Sequence, residues 1–377
     1  MKKNLLTVFV LTAALTALSE VRVGADGSAT FTLKAPQART VTVSGSFAKT
    51  PLTLRRDASG LWKGSTAPLT SDLHTYRMNI DGVAVADPSN YHVIHSDGVN
   101  QSFFIVPGER GDLLSVSDVP HGSLLETWID QPSLGASRRA TVYLPPSWTL
   151  ASGRRYPVLY LLHGLGGDET SWTGLGRAAV ILDNLIAAGD APEMIVVMPN
   201  GNVSLQAAPG HGPNGLVAHR NKLPRTMNGE FEKSFPDIVA WTDANLPTIA
   251  TKESRAIAGL SMGGLNSLFI SALNPDMFGW VGLFSPTPNP LYPTDSPVYQ
   301  DVAAKLRRQF HAGGGPSLYY LAIGSKDFLY KDNVTFRATL DSLGAPYVYH
   351  ETSGGHEWRN WRDYLADFVS QIFKTTP

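Results

Sequence analysis

The chain has 377 residues, of which 43% are hydrophobic and 17% are charged, so it can form a folded protein of two domains. Its formal net charge is −1 and it has no polybasic tract, which argues against a nucleic-acid or anionic-membrane partner. It contains no cysteine, which excludes disulfides, thiol catalysis and cysteine-ligated zinc.

The N-terminal residues have the pattern of a secretory signal peptide. Met1-Lys2-Lys3 is a short basic region, Leu5 to Leu18 is an apolar run, and Ala17-Leu18-Ser19 is a small-x-small cleavage pattern. The apolar run is too short to span a bilayer comfortably. The sequence therefore predicts a signal peptide over residues 1–19 and a secreted or periplasmic protein, with an uncleaved N-terminal anchor as the alternative.

Residues 20–106 have the pattern of an all-β domain. Thr40-Val41-Thr42-Val43-Ser44 alternates between polar and apolar side chains, and Asp81-Gly82 is a hairpin signal. We therefore predict a small immunoglobulin-like β-sandwich over 20–106. The polar, glycine-containing residues 107–120 are predicted to be a linker.

From His121 onward, strand-like and helix-like segments alternate, which predicts an α/β-hydrolase domain with a doubly wound sheet over 121–377. The predicted strands cover 158–162, 194–198, 255–258, 280–284, 318–323 and 347–350. The predicted helices cover 178–188, 232–245, 264–274 and 358–373.

Gly259-Leu260-Ser261-Met262-Gly263 reads G-x-S-x-G, which is the nucleophile elbow of serine hydrolases. The apolar segment before it predicts a buried strand, and the segment after it predicts a helix that ends before Pro275. A turn this sharp holds Ser261 in a strained conformation with its hydroxyl above the sheet. The alternative is a glycine-rich turn around a buried serine.

A serine nucleophile needs a base that is oriented by an acid, and in this fold the chain order is serine, acid, histidine. Asp327 follows the predicted strand 318–323, and His356 lies on the glycine loop after the last predicted strand. We therefore predict a triad of Ser261, Asp327 and His356, with Asp332 as the rival acid.

The second oxyanion donor of this fold comes from the loop after an earlier strand, here His163-Gly164-Leu165-Gly166-Gly167. We assign the backbone amides of Leu165 and Met262 to the oxyanion hole, and we expect His163 to brace the loop. The long glycine- and proline-rich segment 201–230 is predicted to shape the substrate pocket, with a surface loop as the alternative. No metal-binding histidine spacing occurs, so no metal is expected.

The first domain resembles the early-set domains that precede glycan-active enzymes, including the carbohydrate-binding family found with starch branching enzymes. The resemblance rests on Gly60-Leu61-Trp62, the strand and turn from Tyr76 to Gly82, and Asp87-Pro88-Ser89-Asn90. It implies a role in glycan binding, with Trp62 as the residue that would stack on a sugar ring. A buried core position is the alternative for Trp62.

The second domain resembles the esterase D-like group, specifically the feruloyl and acetylxylan esterases of carbohydrate esterase family 1. The segments that carry the resemblance are residues 139–146, 156–164, 259–264 and 354–358. It implies a serine esterase that releases hydroxycinnamic acids from feruloylated arabinoxylan, or cleaves small aryl esters, without a cofactor. Acetylxylan esterase, siderophore esterase of the enterochelin type, and a catalytically silent glycan-binding protein are the alternatives.

Overall fold

The computed structural model describes residues 21–96, 98–151, 153–213, 223–312 and 314–374. One compact unit comprises the described residues up to Val93 together with Asn100–Val106, and the other comprises Ile94–Val99 and those from Pro107 onward. The predicted signal peptide, residues 1–19, lies outside the described residues. None of the helices in the described part of the chain has the length and apolarity needed to cross a membrane.

The first unit is built from antiparallel sheets. The strands of these sheets are β1 Arg22–Val23, β2 Ala29–Lys34, β3 Val41–Gly45, β4 Leu52–Thr53, β5 Arg55–Arg56, β6 Leu61–Ser65, β7 Asp72–Ile80, β8 Val83–Val85, β9 Val93–Ser96 and β10 Val99–Val106. One sheet has the order β1-β2-β6-β5, and the other has the order β4-β3-β7-β10-β9 with β8 paired to β7. Alternate residues of β2 and β3 are buried, including Phe31, Leu33 and Val41, and they form the core. The predicted all-β sandwich is confirmed.

Trp62 belongs to this core, so the prediction that it stacks on a sugar is wrong. Its side chain points inward on the alternating strand β6, and the residue is only 7% exposed. The indole Nε1–H donates a hydrogen bond to the Ala35 carbonyl at 2.9 Å, and the Arg56 guanidinium covers the ring at 5.8 Å. A ring held in this way has no free face for a ligand.

The second unit contains one mixed sheet of eight strands. They are β11 Ser123–Gln131, β12 Ala136–Leu144, β13 Val158–Leu162, β14 Ile195–Pro199, β15 Arg255–Leu260, β16 Trp280–Phe284, β17 Leu318–Gly324 and β18 Val348–Thr352. Their order is β11-β12-β14-β13-β15-β16-β17-β18, and every pair from β14 to β18 is parallel. The antiparallel strands β11 and β12 at one edge were not predicted, because polar and charged residues interrupt the apolar runs that are typical of buried parallel strands.

Helices cover the α/β sheet. They are α1 Glu109–Leu114, α2 Ala178–Ala188, α3 Glu230–Asn245, α4 Met262–Leu273, α5 Val302–Arg307, α6 Tyr330–Ser342 and α7 Trp358–Val369. Shorter turns of 3-10 helix are Pro132–Leu134 and Lys252–Ser254, and Arg308–Ala312 is a turn of π-helix. The predicted α/β-hydrolase sheet is confirmed. The segment predicted as a linker, residues 107–120, contains α1, whose last residue Leu114 is buried.

We expect Trp62→Ala to lower the free energy of unfolding of the first unit by about 3 kcal/mol or more, because it leaves a cavity in the core. Val83→Ala is the matched control, since Val83 is 63% exposed on β8 and its loss should change stability by less than about 0.5 kcal/mol. Denaturant unfolding of the full chain, followed by circular dichroism, measures both. Unchanged stability together with lost polysaccharide binding would restore Trp62 as a ligand residue.

Candidate active site

Ser261 lies in the turn between β15 and α4, with φ 53° and ψ −113°. A positive φ is rare for a residue with a side chain and is typical of strained functional turns. The main chain around it is tied to the next strand, because the Ser261 N–H donates to the Phe284 carbonyl at 2.8 Å and the Thr287 N–H donates to the Ser261 carbonyl at 3.3 Å. These bonds hold the hydroxyl at the point where the strand ends.

The glycines of the elbow are required by close backbone contacts. A Cβ on Gly263 would lie 2.4 Å from the Leu162 carbonyl oxygen and 2.6 Å from that of His163. A Cβ on Gly259 would lie 2.5 Å from the carbonyl oxygen of Gly263. Since these neighbours are backbone atoms, they cannot turn aside as a flexible side chain would. The turn can therefore pack against the end of β13 only with glycine at both positions.

Asp327 and His356 form a hydrogen-bonded pair. His356 Nδ1 lies 2.9 Å from Asp327 Oδ2 and 3.1 Å from Oδ1, and the Asp327 side chain has no exposed surface. The Leu329 N–H also donates to Asp327 Oδ1 at 2.9 Å, which fixes the carboxylate. Asp332, the rival acid, is exposed on α6. The structure thus pairs His356 with Asp327.

The predicted catalytic residues follow different strands of the same parallel set. Ser261 follows β15, Asp327 follows β17, His356 follows β18 and Leu165 follows β13. Because the carboxyl ends of parallel strands meet at one edge of a sheet, all four lie at that edge. No hydrogen bond joins Ser261 Oγ to the His356 ring in this structure, and such bonds are often long before substrate is bound.

Two aromatic rings contact the imidazole of His356. Trp361 meets it edge-on at 4.9 Å between ring centroids, and Phe328 lies against it at 4.6 Å. The loop that carries His356 is held by Asn360, whose Nδ2 donates to the Gly355 carbonyl at 3.0 Å. The bond to Asp327 and the contact with the buried Trp361 restrict the imidazole to one orientation.

The loop predicted to supply the second oxyanion donor lies against the nucleophile. A Cβ built on Gly164 would be 3.4 Å from the Cβ of Ser261. The amides of Leu165 and Met262 donate to no acceptor among the described residues, so both are free to bind an oxyanion. His163 donates from Nδ1 to the Gly164 carbonyl at 2.7 Å and accepts at Nε2 from the Gly201 N–H at 2.8 Å. The prediction that His163 braces this loop is confirmed.

A buried polar network that was not predicted holds the segment after β14. Glu169 accepts hydrogen bonds from Asn200 Nδ2 at 2.8 Å and from the Ala208 N–H at 2.9 Å, and burial raises the pKa of its carboxyl. Arg138 donates to the Asn200 carbonyl. None of these residues belongs to a recognisable motif, so no sequence pattern indicated the network.

A small cleft lies beside the start of α4. Part of the segment predicted to shape the pocket lines it, namely residues 201–203 and 225–228, while residues 214–222 lie outside the described part of the chain. Phe231, Glu232, Met262 and Asn266 complete the lining. Met262 connects the cleft to the oxyanion site, since its amide is one of the two predicted donors.

Two buried polar side chains of the cleft were missed by sequence reasoning. Asn266 Oδ1 accepts no hydrogen bond from any described residue, although Asn266 is only 5% exposed. Glu232 accepts a hydrogen bond from the Tyr299 hydroxyl at 2.7 Å, and burial raises the pKa of its carboxyl to about 7. The sequence signal that could have indicated this site was Asn266, a polar residue within the largely apolar helix α4.

We expect Glu232→Gln to remove a pH dependence of stability. The folded-state pKa of Glu232 is about 7, above its ordinary value of 4.5, so the folded state keeps a proton that the unfolded state loses. Glu232 therefore makes wild-type stability fall between about pH 4.5 and pH 7, and the glutamine variant should gain up to about 3 kcal/mol over the wild type on going from pH 4 to pH 8.

Urea unfolding at pH 4, 6 and 8 measures this effect. Glu253→Gln, in which an exposed carboxylate is removed, is the control and should leave the pH dependence unchanged. The same pH profile for Glu232→Gln and wild type would contradict the prediction.

In the described ranges, no group of three or more histidine, cysteine, aspartate or glutamate residues is placed to hold a metal ion. The expectation of a metal-independent enzyme remains a prediction, which dialysis against a chelator would test.

Comparison with known proteins connects this site to esterases. A family model described as "Putative esterase" matches residues 131–372. The "Endo-1,4-beta-xylanase/feruloyl esterase" of Xylanibacter ruminicola is 37% identical over 270 residues, which are 70% of this chain and 35% of that protein. The chain thus spans about a third of the length of this curated relative.

Solved structures agree with this match. A ferulic acid esterase is 27% identical, with a TM-score of 0.53 over 67% of this chain and 99% of its own. The enterobactin esterase of Shigella flexneri, solved in the presence of 2,3-dihydroxy-N-benzoyl-serine, is 16% identical and shares the fold, with a TM-score of 0.65 over 94% of this chain and 95% of its own. The resemblance to the feruloyl esterases of carbohydrate esterase family 1 is confirmed, and the chain belongs to the family described as "Putative esterase" and has the α/β-hydrolase fold.

Proposed function

We propose that this protein is a carboxylic-ester hydrolase that releases hydroxycinnamic acids, such as ferulate, from arabinoxylan through an acyl-enzyme on Ser261. The observation that carries the proposal is the buried Asp327–His356 pair at the sheet edge where the strained turn presents Ser261. The 37% identity to a xylanase/feruloyl esterase supports ferulate as the acyl group and xylan as the polysaccharide that carries it.

In the proposed reaction, His356 Nε2 takes the proton of Ser261 as the hydroxyl oxygen attacks the ester carbonyl. Asp327 holds the proton on Nδ1 and stabilises the imidazolium that forms. Collapse of the tetrahedral intermediate breaks the ester bond, and Nε2 returns the proton to the leaving alcohol. Water then repeats the sequence on the acyl-enzyme and releases the acid.

The tetrahedral intermediate carries a negative oxygen, which we assign to the amides of Leu165 and Met262. The Met262 amide is at the first position of α4, where the helix dipole also favours negative charge. Because His163 ties the Leu165 loop to Gly201, the two donors are held in place before substrate binds.

We assign the acyl group to the cleft beside Met262. Asn266 Oδ1 is an acceptor without a donor among the described residues, and a phenolic hydroxyl would supply that donor. Phe231 provides an apolar wall for an aromatic ring. This combination supports a hydroxylated aromatic acid as the acyl group more strongly than acetate, which has no donor.

A siderophore ester of the catecholate type is the second candidate substrate. The structure of an enterobactin esterase matches 94% of this chain, whereas the ferulic acid esterase matches 67%. A catechol also carries phenolic hydroxyls, so the cleft supports either acid. The chain covers 35% of the xylanase/feruloyl esterase, so the substrate named for that protein is only proposed for this chain.

Two further parts of the proposal concern the N-terminal segments. The basic and apolar pattern of residues 1–19 supports export to the periplasm or the medium. The β-sandwich is proposed to bring the enzyme to polysaccharide, through residues other than Trp62. A comparison of full-length and truncated protein on soluble and polymeric substrates would test that role.

A substrate panel tests the proposed function. Methyl ferulate should be hydrolysed with a higher kcat/KM than p-nitrophenyl acetate or a catecholate siderophore, and Ser261→Ala should reduce every activity by several orders of magnitude. Ser271→Ala, which changes a buried serine of the following helix α4, is the matched control and should remain active. Preference for the siderophore would favour the second candidate, and wild-type turnover by Ser261→Ala would refute the acyl-enzyme.

Asp327→Asn should lower kcat by roughly 10⁴-fold, because the asparagine neither favours the required tautomer of His356 nor stabilises its charge. Asp332→Asn is the matched control, since Asp332 is exposed on the following helix, and it should retain wild-type kcat. Steady-state kinetics on methyl ferulate measures both variants. A large loss in Asp332→Asn with a mild loss in Asp327→Asn would reverse the assignment.

A further inference from the structure

Phe328 is a large apolar side chain that lies exposed at the active site. It follows Asp327 directly, and its ring lies 4.6 Å from the imidazole of His356, yet the residue is 69% exposed. Its neighbours in the chain, Asp327 and Leu329, are only 5% and 2% exposed. The local backbone therefore turns the phenyl ring outward while it buries the residues on either side.

The position of Phe328 relative to the proton path indicates which part of a substrate it meets. Asp327 occupies Nδ1 of His356, which leaves Nε2 as the nitrogen that gives a proton to the leaving alcohol. The oxygen of that alcohol must come within about 3 Å of Nε2. Because Phe328 lies against the same imidazole ring, we expect the atoms attached to the alcohol oxygen to pass close to its exposed phenyl ring.

Exposed polar residues lie near Phe328 and His356 in the chain. Ser325, Lys326 and Glu357 are all exposed, and Lys326 is held beside the histidine loop by its N–H bond to the Gly354 carbonyl at 2.8 Å. An exposed aromatic ring with hydrogen-bonding side chains nearby suits an alcohol that has both an apolar C–H face and several hydroxyl groups. A lipid alcohol would instead require a continuous apolar surface.

We propose that Phe328 is the specificity-determining residue for the leaving alcohol, and that it stacks on the C–H face of a sugar. This inference rests on the proposed function for the reaction, and it adds the alcohol side of the ester to the acyl side assigned to the cleft. Phe328 contributes to acylation, when the sugar is present, and makes no contribution to deacylation, when water has replaced it.

The test uses two acyl groups and two alcohols in the full-length enzyme. Methyl ferulate, a feruloylated arabinose, methyl acetate and an acetylated xylose are hydrolysed by the wild type, Phe328→Ala and Phe328→Trp. Phe328→Ala should lower kcat/KM by about tenfold on both sugar esters, as expected if the sugar covers about 50 Å² of the ring. Both methyl esters should be unaffected, and Phe328→Trp should retain the activity on sugar esters.

A single-turnover experiment adds a readout that a structural role would not reproduce. The rate at which a preformed feruloyl-enzyme is hydrolysed should be the same in the wild type and in Phe328→Ala. Leu150→Ala, which removes a side chain that is 95% exposed in the same unit, is the matched control and should behave as wild type on all four esters.

Equal losses on methyl and sugar esters would overturn the proposal, because they would show that Phe328 only positions His356. Wild-type kinetics of Phe328→Ala on both sugar esters would overturn it as well. Failure of the proposed function is a separate result: the wild type would then not hydrolyse the feruloyl esters, while the acetyl esters would still compare the two alcohols.

Discussion

The backbone conformation of Ser261 is the constraint on which the rest of the active site depends. With φ at 53°, the turn between β15 and α4 directs the side chain away from the strand, and the hydrogen bond from its N–H to Phe284 secures the turn. Such a conformation is costly unless its surroundings enforce it. Here the contact of Gly263 with the end of β13 enforces it, and the same contact brings the Leu165 loop beside the serine.

The parallel sheet brings together the acid and the base of the proposed triad. Asp327 and His356 are 29 residues apart in the chain, but they follow adjacent strands, β17 and β18, and so meet at one edge. The buried carboxylate has the Leu329 amide and the imidazole as partners, which offset the cost of removing it from water. The two aromatic neighbours of His356 then differ in role: Trp361 is buried and supports the ring, whereas Phe328 faces solvent.

Buried polar groups distinguish the cleft from the apolar core beneath it. Glu232 is satisfied by Tyr299 and is largely neutral below its pKa of about 7, while Asn266 Oδ1 has no partner among the described residues. A core position with an unsatisfied acceptor lowers stability. Such an acceptor is therefore expected where a ligand can supply the missing hydrogen bond. The acyl group proposed for the cleft would in this way offset the loss of stability caused by Asn266.

The sequence by itself determined the features that depend on local geometry. The glycines around Ser261, the apolar run of β13 and the order of Ser261, Asp327 and His356 each follow from steric or chain-order rules that a linear pattern expresses. Only the tertiary structure decided which face a side chain takes and what it meets. Trp62 lies in the core because of the register of β6, and Leu114 is buried and ends a helix in a segment predicted as linker. Asn266, Glu232 and Phe328 acquire their surroundings from segments distant in the chain, and no local pattern records such contacts.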